Sequence, residues 1–555
     1  MEYTKIMKVH VAEAGTLSSL LLPCQASQLE VLILSGYLNI KDFDDVLDDL
    51  CSFWPSDYDE DDNAQFDWSE APNLRVLDMG DCELVDGTTL PEFGYYMQLD
   101  KIVLPKNTKE LSFESAIQDS FVREVKLPNT FEFLNGIKNC ERLEHINIPE
   151  SIESIGMCAL AWCPKLKDTI CIPKNVKEII GGFLAGNELI KEIAVSEENQ
   201  NFVSMDGVVY TKDLKTLVAY PCGSGRKTYK VPEGTERLGA RAFMGSNIEE
   251  IILPESLMEI DDSCFCFCQK LRELIIPDSV TKLGSSALAY CCSLSNLHLS
   301  SALQAIERQT FSGCTSLKFL EVPGSVKTID ASAIVWNEKG FEEIVLHEGV
   351  EGITTDHGKT SYMFSRSSVL RKVTIPSTVS RMITGMFSNC VNMEMLLISE
   401  NNPYYKTVDG AIYTKDGKEL VAVPNWDRKS FAIAEGTEII GEACFWRFDN
   451  LQEIHIPSTI RRIESRAFDG CSSLKEICLP EALKEIETRA FDDCKSLTIK
   501  LFAKQPPMIS GMGKKDDLMV VGRQDLDIFV PTESVKLYLS TQKWKNWNIK
   551  ALDQC

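Results

Sequence analysis

The side chains that could do chemistry in this chain are six histidines, twenty cysteines and eighty-two carboxylates. Hydrolytic or general acid–base catalysis needs a histidine, a nucleophile and a carboxylate converging on one point. His145, His298 and His455 stand far apart, each inside its own short run of alternating apolar residues, and His10, His347 and His357 have no partner close by in sequence. The required parts do not assemble, so the chain is read as non-enzymatic. Cys264-Phe265-Cys266-Phe267-Cys268, with Cys291-Cys292 downstream, looks at first like a thiolate nest. Zinc sites, however, use C-x₂₋₄-C pairs joined by a second pair or by histidines, so neither a metal nor a cofactor is expected there. The third candidate is an oxygen cluster. Asp59, Asp61, Asn63, Asp67 and Glu70 fall at positions 1, 3, 5, 9 and 12 of a calcium loop. Ala64 occupies the position where the sharp turn wants glycine, and Ala71-Pro72 stands where an exit helix should begin. The competing reading is a solvated acidic loop, since ten acidic residues lie between Asp42 and Asp62.

Whatever these residues do, the elements holding them are set by a repeat. Residues 451–497 state one unit twice: Leu451, Leu474 and Leu497 are 23 apart, as are Pro457 and Pro480, Phe468 and Phe491, and Cys471 and Cys494. The unit reads L-x-x-I-x-I-P-x-x-(V/I/L)-x-x-I-x-x-x-A-F-x-x-C-x-x. A period of this length marks a solenoid, because one coil cannot bury its own apolar residues and must stack on its neighbours. Alternation in L-x-x-I-x-I predicts a short strand with one face to the core, and proline ends it by fixing φ and removing a donor. Stacking would place the strands about 4.8 Å apart in a continuous parallel sheet. Eight cysteines (Cys140, Cys163, Cys268, Cys291, Cys314, Cys390, Cys471 and Cys494) share one slot of the unit. They are expected to act as small buried apolar residues beside the bulky phenylalanines. Cys264-Phe265 fills the Ala-Phe slot and Cys268 the cysteine slot, which accounts for most of the apparent nest.

L-x-x-I-x-I-P followed by I-x-x-x-A-F-x-x-C-x-x resembles the BspA-like type of the leucine-rich repeat family, over about residues 99–502. The resemblance implies an α/β-type solenoid: a right-handed leucine-rich repeat superhelix with a parallel β-sheet on its concave face. It also implies a non-enzymatic, adhesin-like binding protein, of the kind found at the surface of, or secreted by, bacteria and some protists. Residues 1–98 keep looser strands at Leu29–Leu34 and 74–79, with one short amphipathic helix expected over 42–51, and are read as a divergent N-terminal cap with an acidic helix and loop. Residues 99–502 form the solenoid. Two nearly identical stretches, near 202–221 and 404–424, read as β-hairpin insertions; their Asp206 and Asp409 are 203 apart, and Asp416-Gly417 marks a turn. Residues 503–555 read as a C-terminal cap in which Trp544 and Trp547 cover the last coil.

A net charge of −25 excludes a phosphate-backbone partner, which would need clustered Lys and Arg, so no nucleic acid is expected. It favours a basic partner instead. No run of 18 apolar residues occurs, so no membrane insertion is expected. Cysteines in a chain with so large a core read as free thiols of a reducing compartment. The N-terminal stretch has no apolar signal region, so the chain as given shows no export signal; this argues cytoplasmic, whereas the resemblance implies the cell surface or secretion. A monomer is expected.

The third and fifth residues of L-x-x-I-x-I point away from the core. The third is Glu124, Glu192, Glu250, Glu273, Glu343, Glu453 or Glu476 in seven units and Phe319 in another; His298 and His455 stand at the fifth. Stacked in register, like carboxylates would repel by a few tenths of a kcal/mol each. This stripe is the expected contact surface for a protein or peptide, or a host ligand. Two other readings stand beside it. A glycan-binding adhesin would use aromatic platforms, but Trp162, Trp336, Trp426 and Trp446 are scattered. A metal-dependent effector would place its site in the N-terminal cap.

Overall fold

The computed structural model describes residues 3–21, 29–47, 73–85, 87, 90, 99–111, 117–335, 337, 339–354, 364, 367–387, 390–424, 428–495, 497–510, 526–545 and 547–554. The calcium candidate Asp59, Asp61, Asn63, Asp67 and Glu70, and also Trp336 and Trp426, lie outside the described residues. The chain divides into two compact units, Met1–Leu271 and Arg272–Cys555, each built from stacked coils of parallel strands.

A coil has three sides. The first carries the L-x-x-I-x-I strands. In the first unit, Ile6–Val11, Val31–Leu38, Val76–Leu84, Lys101–Val103, Glu124–Lys126 and His145–Ile146 form one parallel sheet. Their inward residues, among them Leu32, Leu77, Ile102 and Val125, are fully buried. The ladder starts earlier than L-x-x-L-x-L at residue 29 suggests: Ile6–Val11 pairs residue for residue with Val31 to Gly36. The contact is close at its far end, where a Cβ on Gly36 would sit 2.1 Å from the Val11 carbonyl oxygen, at a φ of +100°. Only glycine fits there.

The second side is a shorter parallel ladder that the sequence pattern does not announce. Arg237–Leu238 and Glu259–Ile260 belong to it in the first unit, and Ile439–Ile440, Arg462–Ile463 and Glu485–Glu487 in the second. Two or three residues per coil are too few to show alternation.

The third side holds Ala-Phe between two residues in the left-handed region. Arg466 and Gly470 flank Ala467-Phe468, Arg489 and Asp493 flank Ala490-Phe491, and Ser263 and Phe267 flank Cys264-Phe265, with φ between 52° and 79°. A left-handed non-glycine residue costs about 1–2 kcal/mol. The cost is offset because each reversal aims the backbone at the next coil: Phe468 N–H donates to Ala490 O and Gly470 N–H to Asp492 O, both at 2.8 Å. It also drives the phenylalanine inward. Phe445, Phe468 and Phe491 stack with ring centroids 5.1 and 5.5 Å apart and nearly parallel planes.

The cysteine slot does more than save space. Cys268 Sγ donates to Phe243 O at 3.1 Å, Cys314 to Leu288 O at 3.1 Å, Cys390 to Phe364 O at 2.9 Å, Cys471 to Phe445 O at 3.2 Å and Cys494 to Phe468 O at 3.1 Å. Asn187 and Asn337 occupy the same slot and make the same contact, to Leu160 O at 2.8 Å and Phe311 O at 2.6 Å. The slot therefore selects a small donor that satisfies a buried carbonyl of the preceding coil, which corrects the purely apolar role expected of it. Burial pushes the Cys268 and Cys494 thiols up to about 12, so both keep the proton they donate. The described cysteines are free thiols. Cys471→Ala should cost about 1–2 kcal/mol, because it orphans Phe445 O. Cys471→Ser, which keeps a donor, should cost less than half as much by urea unfolding; equal losses would show that the contact carries no energy.

The two insertions are three-stranded meanders, one strand longer than the hairpins expected. Phe202–Met205, Val208–Thr211 and Thr216–Ala219 run antiparallel, and Thr216–Ala219 then joins the second-side ladder beside Arg237–Leu238. Tyr405–Val408, Ala411–Thr414 and Glu419–Ala422 repeat the arrangement beside Ile439–Ile440. The unanticipated first turn is Asp-Gly in both copies, with Asp206 and Gly207 at φ 52° and 78° and Asp409 and Gly410 at 48° and 74°, the signature of a tight hairpin turn.

At the start of the chain, Ile40–Asp42 and Phe43–Leu47 form short helical turns that bury Phe43, Val46 and Leu47. Asp42, where the expected helix and the acidic run begin, is buried: its carboxylate accepts from the backbone of Gly15 at 2.7 Å, Leu17 at 3.0 Å and Asn39 at 3.0 Å. At the far end, Asp527–Val530 and Asn548–Ala551 extend the ladder beyond Thr498–Leu501. Tyr538 and Trp544 are buried there, with Tyr538 donating to Ala503 O at 2.7 Å and the Trp544 indole to Pro507 O at 2.8 Å; Trp547 is buried beside them.

Candidate functional site

The outward face of the first-side strands holds the stripe, and strand register decides which members meet. The ladder is not continuous. In the first unit Ile170–Ile172 and Ile193–Val195 stand as a pair, because the meander wedges in after them: Ile193 N–H donates to Gly207 O at 2.9 Å and Ser204 Oγ to Ile193 O at 2.6 Å. Glu192 packs beneath that turn, where a Cβ on Gly207 would come 2.6 Å from its own Cβ. Thr228–Lys230 and Glu250–Ile252 pair again beyond it.

At Glu124 and Glu343 the carboxylates are interleaved with other residues, so the expected Glu-on-Glu repulsion does not arise at those two strands. Glu124 lies between Lys101 and His145 in the register and binds Lys101 at 3.0 Å. Glu250 accepts from Thr228 at 3.0 Å, and Glu273 from Asn296. Glu343 sits between Phe319 and Lys372 and pairs with Lys372 at 2.6 Å. Glu476 pairs with Lys500 at 3.0 Å. Such exposed pairs are each worth at most about 1 kcal/mol. Glu453 and His455 share a strand, and both are exposed. His298 is exposed beside Ile275 in the register, and His455 reaches Glu435 at 3.9 Å.

The structure brings out a feature that charge patterning hides. Four consecutive strands of the second unit, Phe319–Val322, Glu343–Leu346, Lys372–Ile375 and Met395–Ile398, form one parallel sheet. Its outward face carries Phe319 (47% exposed), Met395 (46%) and Leu397 (42%), with half-buried Val345 between them. Glu321, Glu343 and Lys372 share this face with them. Met395 and Leu397 stand at the third and fifth positions of their unit, so apolar residues at outward positions were the available signal. Among the described residues no cluster of His, Cys, Asp or Glu is arranged to hold a metal ion.

One carboxylate on the third side titrates unusually. Burial, and then the charge of Asp492 one coil on, push Asp469 up to about 6 despite Arg466 and Arg447 nearby. A raised carboxyl binds its proton more tightly folded than unfolded, so stability falls as pH rises from about 4 to about 6 and the charged form is a liability above that. Asp469→Asn should therefore stabilise the protein by about 1 kcal/mol at pH 7, after discounting for solvent screening. At pH 4 it should change nothing. Urea unfolding at the two pH values checks this, and a gain at pH 4 alone would refute it.

Comparison with known proteins bears on the fold. The family model for the BspA type leucine rich repeat region matches in six copies, over residues 91–205, 236–357, 336–408 and 425–509. No curated protein matches the chain in sequence. Among solved structures, a leucine-rich repeat protein from Eubacterium ventriosum is 16% identical, with 80% of this chain and 87% of that one covered and a TM-score of 0.39. A leucine rich cell surface protein from Faecalibacterium prausnitzii is 19% identical, with 59% and 73% covered and a TM-score of 0.34. The leucine rich repeat protein of T. pallidum is 22% identical, with 34% and 86% covered and a TM-score of 0.29. No helix among the described residues is long and apolar enough to cross a membrane.

Proposed function

Because the chain belongs to the BspA-type leucine-rich repeat family, we propose that it is a non-enzymatic scaffold whose strand face binds a protein or peptide of basic character. Proteins of this family are repeat scaffolds, generally non-enzymatic, that engage protein partners. The observation that carries the reading is exposed Phe319, Met395 and Leu397, with half-buried Val345, on one parallel sheet. Large apolar side chains grouped on a surface and rimmed by charge are the usual anatomy of a recognition patch. Side chains set on paired strands lose little further freedom on binding, which favours affinity. The net charge of −25 supplies long-range attraction for a basic partner.

The test is selection of random displayed peptides on the intact chain. Enriched peptides should combine Lys or Arg with apolar residues. Phe319→Ala/Met395→Ala should weaken them about tenfold or more, as loss of a central anchor does. Reversing Glu250, Glu273 and Glu343 to lysine should slow association and flatten its salt dependence. Peptides that bind both variants as tightly as the original chain would place recognition on another face.

A further inference from the structure

A separate cleft lies on the third side of the first unit, away from the strand face. It has a volume of about 250 Å³ and is lined by Gln118, Asn135, Lys138, Asn139, Met157 and Trp162. Two properties set it apart. The first concerns its amides. Elsewhere in the unit asparagine side chains tie coil to coil, as Asn147 does to Leu127 O, Asn175 to Glu150 O and Asn187 to Leu160 O. The side chains of Gln118, Asn135 and Asn139 make no such bond, so three planar groups, each offering both donors and acceptors, are directed to one small space. The second is the indole. Trp162 occupies a left-handed position, φ 59°, where neighbouring coils place Gly186 and Gly245. A Cβ on Gly186 would meet Trp162 Cε3 at 2.1 Å, so glycine is required there to let the indole lie flat over the next coil. Phe267 closes edge-on, with ring centroids 5.7 Å apart and planes at 86°. The aromatic wall is thus fixed before any ligand arrives, which removes an ordering cost.

The geometry points to a carbohydrate site that takes a single pyranose ring. Such a ring presents a C–H face, which packs against the negative face of an indole and against Met157, and a rim of hydroxyls, each donor and acceptor, which side-chain amides match. The volume falls below the roughly 300–1,000 Å³ of pockets for drug-sized ligands, so one ring fits and further sugars would extend into solvent. A nucleobase would also stack on tryptophan and pair with amides. A nucleotide, however, brings phosphates toward a chain of charge −25, with Lys138 the cation in the lining.

Calorimetric titration of the intact chain with the methyl pyranosides of glucose, galactose, mannose and N-acetylglucosamine, with adenosine as the competing arm, tests the assignment. At least one pyranoside should bind at a single site in the millimolar range. Trp162→Ala should weaken it about tenfold or more, and so should Gln118→Ala/Asn135→Ala, through two lost hydrogen bonds. The amide variant removes no bond within the protein, so it should keep the unfolding midpoint of the original chain and remains informative even if Trp162→Ala fails to fold. Absence of heat with every pyranoside, preference for adenosine, or pyranoside binding unchanged in the amide variant would each overturn the assignment.

Discussion

Asn402→Ala should destabilise the second unit by about 3–5 kcal/mol, out of proportion to the few atoms removed. The side chain is fully buried where the chain leaves the strand Met395–Ile398 and enters the meander. Its amide donates to Pro376 O at 3.0 Å and Val379 O at 2.9 Å, and its carbonyl accepts from Tyr404 N at 2.8 Å and Tyr405 N at 2.8 Å. Alanine would leave two donors and two acceptors without partners, each costing about 1–3 kcal/mol, less whatever water recovers. Asn402→Asp should fare no better, since it turns a carboxylate oxygen toward two carbonyls. The control is Asn392→Ala, an exposed amide with a single bond to Ser368 O at 2.6 Å. If the two alanine variants unfold at the same urea concentration, the junction carries no special energy. Asn199 makes the same four contacts in the first unit, to Pro173 O, Val176 O, Asn201 N and Phe202 N, and its replacement should cost a similar amount.

Phe468→Ala should cost about 3–5 kcal/mol, the usual loss for a fully buried phenylalanine. Phe468 is the middle ring of the stack from Phe445 to Phe491, so its removal opens a void flanked by two aromatic faces. The left-handed residues on either side, Arg466 and Gly470, hold the backbone in place and limit collapse into the gap. Phe468→Leu refills most of the volume and should cost under about 1.5 kcal/mol. Denaturant unfolding of the two variants side by side checks the ordering; a leucine variant as unstable as the alanine variant would show that the stacked rings, and not the filled volume, matter.

The first side was legible in the sequence because its information is redundant. Every L-x-x-I-x-I repeats the same inward residues, and proline punctuates most of them. The second side was not, since segments such as Arg462–Ile463 are too short for any period to register. The left-handed positions were hidden for a different reason. Arg466, Arg489, Ala443 and Ser263 share a backbone conformation but no chemistry, because the neighbouring coil and not the residue imposes it. The general tendency of free cysteine to be buried points to an apolar slot, whereas Asn187 and Asn337 in the same slot signal that a donor is wanted. At the candidate face, outward positions could be listed from the repeat, but which of them are neighbours depends on where the meanders interrupt the ladder. Between the meanders the neighbours follow repeat order, and Glu343 stands beside Lys372 and Phe319 because those residues hold the same position in the adjacent units.

The bond from each thiol back to the carbonyl one coil earlier has an evolutionary corollary. Cys471 and Cys494 reach Phe445 and Phe468 across the same span of 26 residues, and the rings recur every 23 residues. Removing or copying a whole 23-residue stretch lets donor, carbonyl and ring find equivalent partners, whereas losing a large part of one separates all three; single-residue differences are absorbed, since the same contact spans 25 residues at Cys268 and 27 at Asn187. Growth and shrinkage of this chain are therefore quantised, tolerated in complete turns and penalised in large fractions.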